Sequence, residues 1–87
     1  MCDITQMPKR LLFTVAAAKQ RARLDAAVRA RIDGKLEALA ETGQGDVRRL
    51  KGRDGARLRV ADWRVIFTET PDAILVVAVG HRRDIYD

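Results

Sequence analysis

Two short stretches carry most of the side chains able to do chemistry. ARLRVADWRVIF, residues 56–67, holds Arg57, Arg59 and Arg64, and GHRRDIYD, residues 80–87, holds His81, Arg82 and Tyr86. Arginine stays protonated at any physiological pH and presents a planar fork of donors, so it can hold a phosphate-like anion but cannot move a proton. His81 and Tyr86 are different. An imidazole with an ordinary pKa of about 6.5 and a phenol at about 10 can both exchange protons in a suitable field. The two stretches together contain the parts for binding an anion and for acid–base work beside it.

Charge distribution supports the anion side of this reading. The chain has 17 Lys and Arg against 12 Asp and Glu, a net charge of +5, and the excess is concentrated in the C-terminal half. Between Val47 and Arg64 lie Arg48, Arg49, Lys51, Arg53, Arg57, Arg59 and Arg64 against Asp54 and Asp62, and His81, Arg82 and Arg83 follow. Such a cluster attracts polyanions. Other classes are disfavoured. A lone Cys2 gives no internal disulfide framework, and with one histidine there is no metal-ligand cluster, so neither a metal nor a small-molecule cofactor is expected. No apolar run approaches the roughly 20 residues needed to cross a bilayer, and MCDITQMPKR lacks a signal-peptide pattern, so no membrane association and a cytoplasmic location are expected.

The elements that must position these groups follow from periodicity. At 87 residues the chain is expected to form one domain, with residues 1–10 a flexible N-terminal extension. Leu11 to Val15 fits a first strand, and Ala16 to Leu24 is rich in helix formers. From Asp25, an N-cap residue type, Leu24, Val28, Ile32, Leu36 and Leu39 recur at three- and four-residue steps, one buried stripe of a second helix that Gly43 ends. Gly34 inside that helix predicts a close packing contact or a local break. The period then changes to two. Strands are predicted at Ala56–Val60, Trp63–Glu69 and Ala73–Val79, separated by turn signals at Ala61-Asp62 and Thr70-Pro71-Asp72. The fold class is α+β: a short strand, a helix pair, then a three- to four-stranded, mainly antiparallel sheet, in the order β-α-α-β-β-β.

A two-residue turn at Ala61-Asp62 sets Val60 against Trp63, Arg59 against Arg64, Leu58 against Val65 and Arg57 against Ile66. Arg57, Arg59 and Arg64 then share one face, and Leu58, Val60, Trp63, Val65 and Phe67 the other. Like charges directly opposed destabilise a sheet, and a bound anion would offset that. The same pattern also fits a solvated face whose arginines pair with Asp54, Glu69 or Asp84.

The succession LKGRDGARLRVADWRVIFTE, then ILVVAVGHRRDIYD, preceded by a helix pair ending KLEALAE, resembles the RelE branch of the RelE/ParE superfamily of bacterial toxin–antitoxin toxins, from about Leu11 to Tyr86. The resemblance implies a small α+β toxin that cleaves messenger RNA in the ribosomal A site and is neutralised by a cognate antitoxin. It assigns catalytic positions to Arg57, Arg59, Arg64, His81, Arg82 and Tyr86, and the charge distribution adds Arg48, Arg49, Lys51, Arg53 and Arg83 as expected RNA contacts. Two departures stand out. Where some relatives carry a carboxylate base before LKG, this chain has Arg48 and Arg49, with Asp46 just before them, and the C-terminal helix of longer members is not expected after Asp87. Metal-independent RNA cleavage needs a base for the ribose 2′-hydroxyl, cations for the pentacoordinate phosphorus and an acid for the departing 5′-oxygen. The arginines supply only the cations; His81 and Tyr86 compete for the proton-transfer roles. The alternatives are a ParE-like inhibitor of DNA gyrase and a non-catalytic basic binding module.

Overall fold

The computed structural model describes residues 9–52 and 54–85. The order is β1 (Arg10–Phe13), α1 (Val15–Ala22), α2 (Ala26–Thr42), β2 (Val47–Arg49), β3 (Ala56–Val60), β4 (Trp63–Glu69) and β5 (Ala73–His81). The α+β class is as expected, with one strand more than the sequence announced: a five-stranded sheet in the order β1-β5-β4-β3-β2. β1 runs parallel to β5, and every other pairing is antiparallel.

Local chemistry explains the boundaries. β1 ends early because the Thr14 side chain accepts a hydrogen bond from the Ala17 amide and caps α1, so the helix begins at Val15. Gly43 ends α2 in the left-handed region, φ 76°, its amide donating to the Leu39 carbonyl. Gly34 neither breaks α2 nor makes room for a neighbour: the helix runs through it, and nothing lies within 4 Å of where a Cβ would be. Of the expected N-terminal extension, residues 1–8 lie outside the described residues. Lys9 and Arg10 are held in place, Lys9 by the hydrogen bond its amide donates to the Ala40 carbonyl and by an ion pair with Glu69, and Arg10 as the start of β1.

One face of the sheet carries the core. Ile32, Leu36 and Leu39 of α2 pack on Leu58, Val60, Val65, Phe67, Ile74, Val76 and Val79, with Leu24, Val28 and Trp63 at the margin, so the predicted helical stripe and the predicted sheet face meet. Arg21 fastens the helices to each other and to β1, paired with Asp33 through two nitrogens and lying over the Phe13 ring at 5.8 Å. That pairing raises the Arg21 pKa from its ordinary value, burial opposing it in part.

Candidate functional site

The β3–β4 hairpin has the register its turn predicts: Arg57 opposite Ile66, Leu58 opposite Val65, Arg59 opposite Arg64 and Val60 opposite Trp63. Leu58, Val60 and Val65 are buried beneath the helices, and Arg57, Arg59 and Arg64 lie on the open face. The turn is held in a demanding conformation, with Ala61 at φ 54°, where a Cβ is disfavoured. Arg64 is tied to that turn, its Nη1 donating to the carbonyls of Ala61 and Trp63, both at 3.0 Å.

Arg82 reaches the same turn from β5. Its amide donates to the Asp62 carbonyl at 2.8 Å, and its Nε lies 3.9 Å from Asp62 Oδ1. Two carbonyls of one hairpin turn therefore fix two arginines that lie eighteen residues apart in the chain. Electrostatics register the convergence. The Arg64 pKa lies below its ordinary value, first through burial, then through the charges of Arg59, Arg57 and Arg82, with Asp62 acting in the opposite sense. Arg64 remains a cation at neutral pH, and four guanidinium groups share one field.

His81 does not join them. It pairs directly with Trp63, one position from the Arg64–Gly80 pair, and so faces the helix-covered side. Its ring meets the Trp63 ring edge-on, with centroids 5.4 Å apart and planes at 83°. Its Nδ1 accepts a hydrogen bond from the Arg83 amide at 3.2 Å. That bond occupies the lone pair a neutral imidazole would use as a base, and the remaining nitrogen then carries the proton. The cause is a register slip in β5. Ile66 pairs with Ala78 but Phe67 pairs with Val76, so Val77 faces no residue of β4 and the alternation reverses there. Without that slip, continued alternation from Ile74 and Val76 would put His81 on the arginine face.

The remaining expected positions divide. Arg48 is opposite Arg57, and Arg49 is opposite Ala56. Lys51 and Arg83 are exposed in turns. Arg53 and Tyr86 lie outside the described residues. Ile85 folds back over Gly80, its side chain 3.0 Å from where a Gly80 Cβ would sit, which explains a glycine opposite Arg64. Sequence reasoning missed Gln20, whose Oε1 accepts from the Val79 amide at 2.7 Å where β5 extends past the end of β1. A polar side chain five positions into an Ala-rich helix gives no signal of that role.

A shallow depression of about 430 Å³ lined by Arg49, Asp54, Phe67 and Glu69 lies at the far end of β3 and β4 from the turn. Among the described residues no group of three or more His, Cys, Asp and Glu side chains is placed to hold a metal ion, and no helix is long and apolar enough to cross a membrane. The arrangement is a flat cationic surface suited to an extended polyanion.

Chains of this fold include archaeal and bacterial toxins. The profile of the ParE toxin of type II toxin–antitoxin systems, parDE, matches residues 11–86, and the chain belongs to that family, within the RelE/ParE superfamily. Similar solved structures include the RelB–RelE antitoxin–toxin complex of Methanococcus jannaschii, at 26% identity and TM-score 0.71 over 87% of this chain and 95% of that one. The RelE–RelB complex of Pyrococcus horikoshii OT3 matches at 24% identity and TM-score 0.73 over 87% and 97% of the two chains. A free E. coli RelE variant with two arginines replaced by alanine matches at 24% identity and TM-score 0.73 over 90% and 87%. No curated protein sequence matches the chain.

Proposed function

We propose that this toxin is an endoribonuclease acting on messenger RNA, and that a cognate antitoxin covering the arginine face neutralises it. The observation supporting this reading is the field that Arg57, Arg59, Arg64 and Arg82 share on one hairpin, with Arg64 and Arg82 both held to its turn. Phosphoryl transfer from a ribose 2′-hydroxyl puts extra negative charge on the phosphorus oxygens, and fixed cations stabilise that charge more than they stabilise the ground state. The 2′-oxygen attacks phosphorus as its proton leaves, a cyclic phosphate forms, and the bond to the 5′-oxygen breaks as that oxygen takes a proton. The arginines serve the charge. Tyr86 is the proton donor or acceptor that the sequence offers after His81 is set aside. His81 instead positions the turn carrying Arg82 and Arg83 through its bond to the Arg83 amide.

A flat face gives a free RNA few constraints, so alignment of the 2′-oxygen, the phosphorus and the leaving oxygen falls to the ribosome, where orientation contributes most of the rate. On expression in bacteria the wild type arrests growth, and Arg64→Ala and Arg82→Ala each release the arrest while the purified variants keep the wild-type melting profile. Full toxicity in both variants overturns the assignment. The family match to ParE toxins supports a second reading, inhibition of DNA gyrase. It predicts broken DNA and intact messenger RNA.

A further inference from the structure

The register of β2 separates two adjacent arginines that look equivalent in the sequence. Arg48 lies directly across from Arg57, whereas Arg49 lies across from Ala56. Directly paired residues share a face, so Arg48 joins the open face and Arg49 goes to the opposite one. Arg59 and Arg64 form a second directly opposed pair. Two like-charged pairs thus sit side by side, separated by two residues of β3, roughly 7 Å at the usual rise of a strand. Neither Arg48 nor Arg59 has an ion pair with an acidic side chain among the described residues. Arg48 and Arg59 thus each face a like charge, and a phosphate between the members of a pair would be attracted to both.

We propose that Arg48 and Arg57 form a second phosphate subsite beside the Arg59–Arg64 subsite, so that this face grips two successive phosphates of one RNA strand lying along β3. The inference rests on the RNA reading above and says where the phosphate next to the scissile one is held. Separation by two strand residues is comparable with the spacing of neighbouring phosphates in an extended single strand. The planar guanidinium fork matches the two non-bridging oxygens of a phosphodiester.

The test compares full-length Arg48→Glu with Arg49→Glu, the same charge change one residue along and on the other face. The probe is a 2′-O-methyl oligouridylate of roughly eight nucleotides, which binds as a single strand but cannot be cleaved. Arg48→Glu is expected to lose at least roughly tenfold in affinity at low salt and to flatten the salt dependence by about 0.7 for each phosphate no longer neutralised. It is also expected to melt at a higher temperature than wild type, because a carboxylate then faces Arg57. Arg49→Glu should lose less than about threefold, the effect of net charge alone. Opposite signs for affinity and stability in Arg48→Glu distinguish a binding role from a structural one. Equal losses in the two variants, unchanged affinity in Arg48→Glu, or a lower melting temperature there overturns the proposal. So does loss of hexaglutamate binding with oligonucleotide binding intact, which would give the face to an acidic protein partner. If the contrast between Arg48→Glu and Arg49→Glu holds while the wild type leaves messenger RNA on translating ribosomes intact, the nuclease reading fails and the subsite stands.

Discussion

The two faces of the β3–β4 hairpin impose opposite demands on neighbouring residues. On one face Leu58, Val60 and Val65 are almost completely removed from water beneath α2; on the other, Arg57, Arg59 and Arg64 are crowded together with like charge opposing like. The apolar face stabilises the sheet through burial, and the cationic face opposes it. Ile66 is the exception to this division, buried although it lies on the arginine face opposite Arg57. Stability and anion binding are therefore separable in this hairpin, one residue apart.

Substitutions on each face sharpen the contrast. Leu58→Ala should cost about 2–5 kcal/mol, a large share of a small domain's total, measured by urea unfolding. Gln20→Ala should come next, at about 1–3 kcal/mol, because the Val79 amide loses its acceptor; amide exchange at Val79 would locate the effect. Arg59→Glu should instead raise stability, by roughly 0.2–1 kcal/mol, while weakening RNA binding, since it makes the pair with Arg64 attractive. His81→Asn, which keeps an acceptor for the Arg83 amide, should change RNA cleavage by less than about threefold, or roughly 0.7 kcal/mol. A loss there as large as that of Arg82→Ala would show that His81 acts on the arginine face after all.

The smallest effect should be that of pH. The lowered pKa of Arg64 means that its charged form is disfavoured in the folded chain. The cost is present at every pH below that value and is lost only in strongly alkaline solution. Oligonucleotide affinity should thus be flat between about pH 6 and 9, as measured by titration at constant ionic strength.

Much of this arrangement was legible in the sequence because its period was unbroken. Strict alternation in RLRV and WRVIF, joined by two residues, fixed both register and facing, and the i, i+3, i+4 spacing of Leu24 to Leu39 marked the helix that covers one side. The features that escaped had no periodic signal. β2 is three residues long and exposed at each position, so nothing in VRR distinguishes it from a basic loop. In β5 the run AILVVAV is apolar at every position, so neither the slip at Val77 nor the facing of His81 could be read from it. Thr14 gave an N-cap signal that the apolar run LLFTV concealed. The arginine cluster was therefore predictable and the place of the histidine was not, because the first depends on a hairpin and the second on a one-residue irregularity.

The central claim is that this face acts on the phosphates of messenger RNA, and the most direct test is to map RNA 5′ ends in bacteria after brief induction of the toxin. The wild type should produce new 5′-hydroxyl ends within translated messages, Arg64→Ala should produce none, and DNA should stay unbroken in both. Intact messages accompanied by double-strand breaks in the wild type would contradict it.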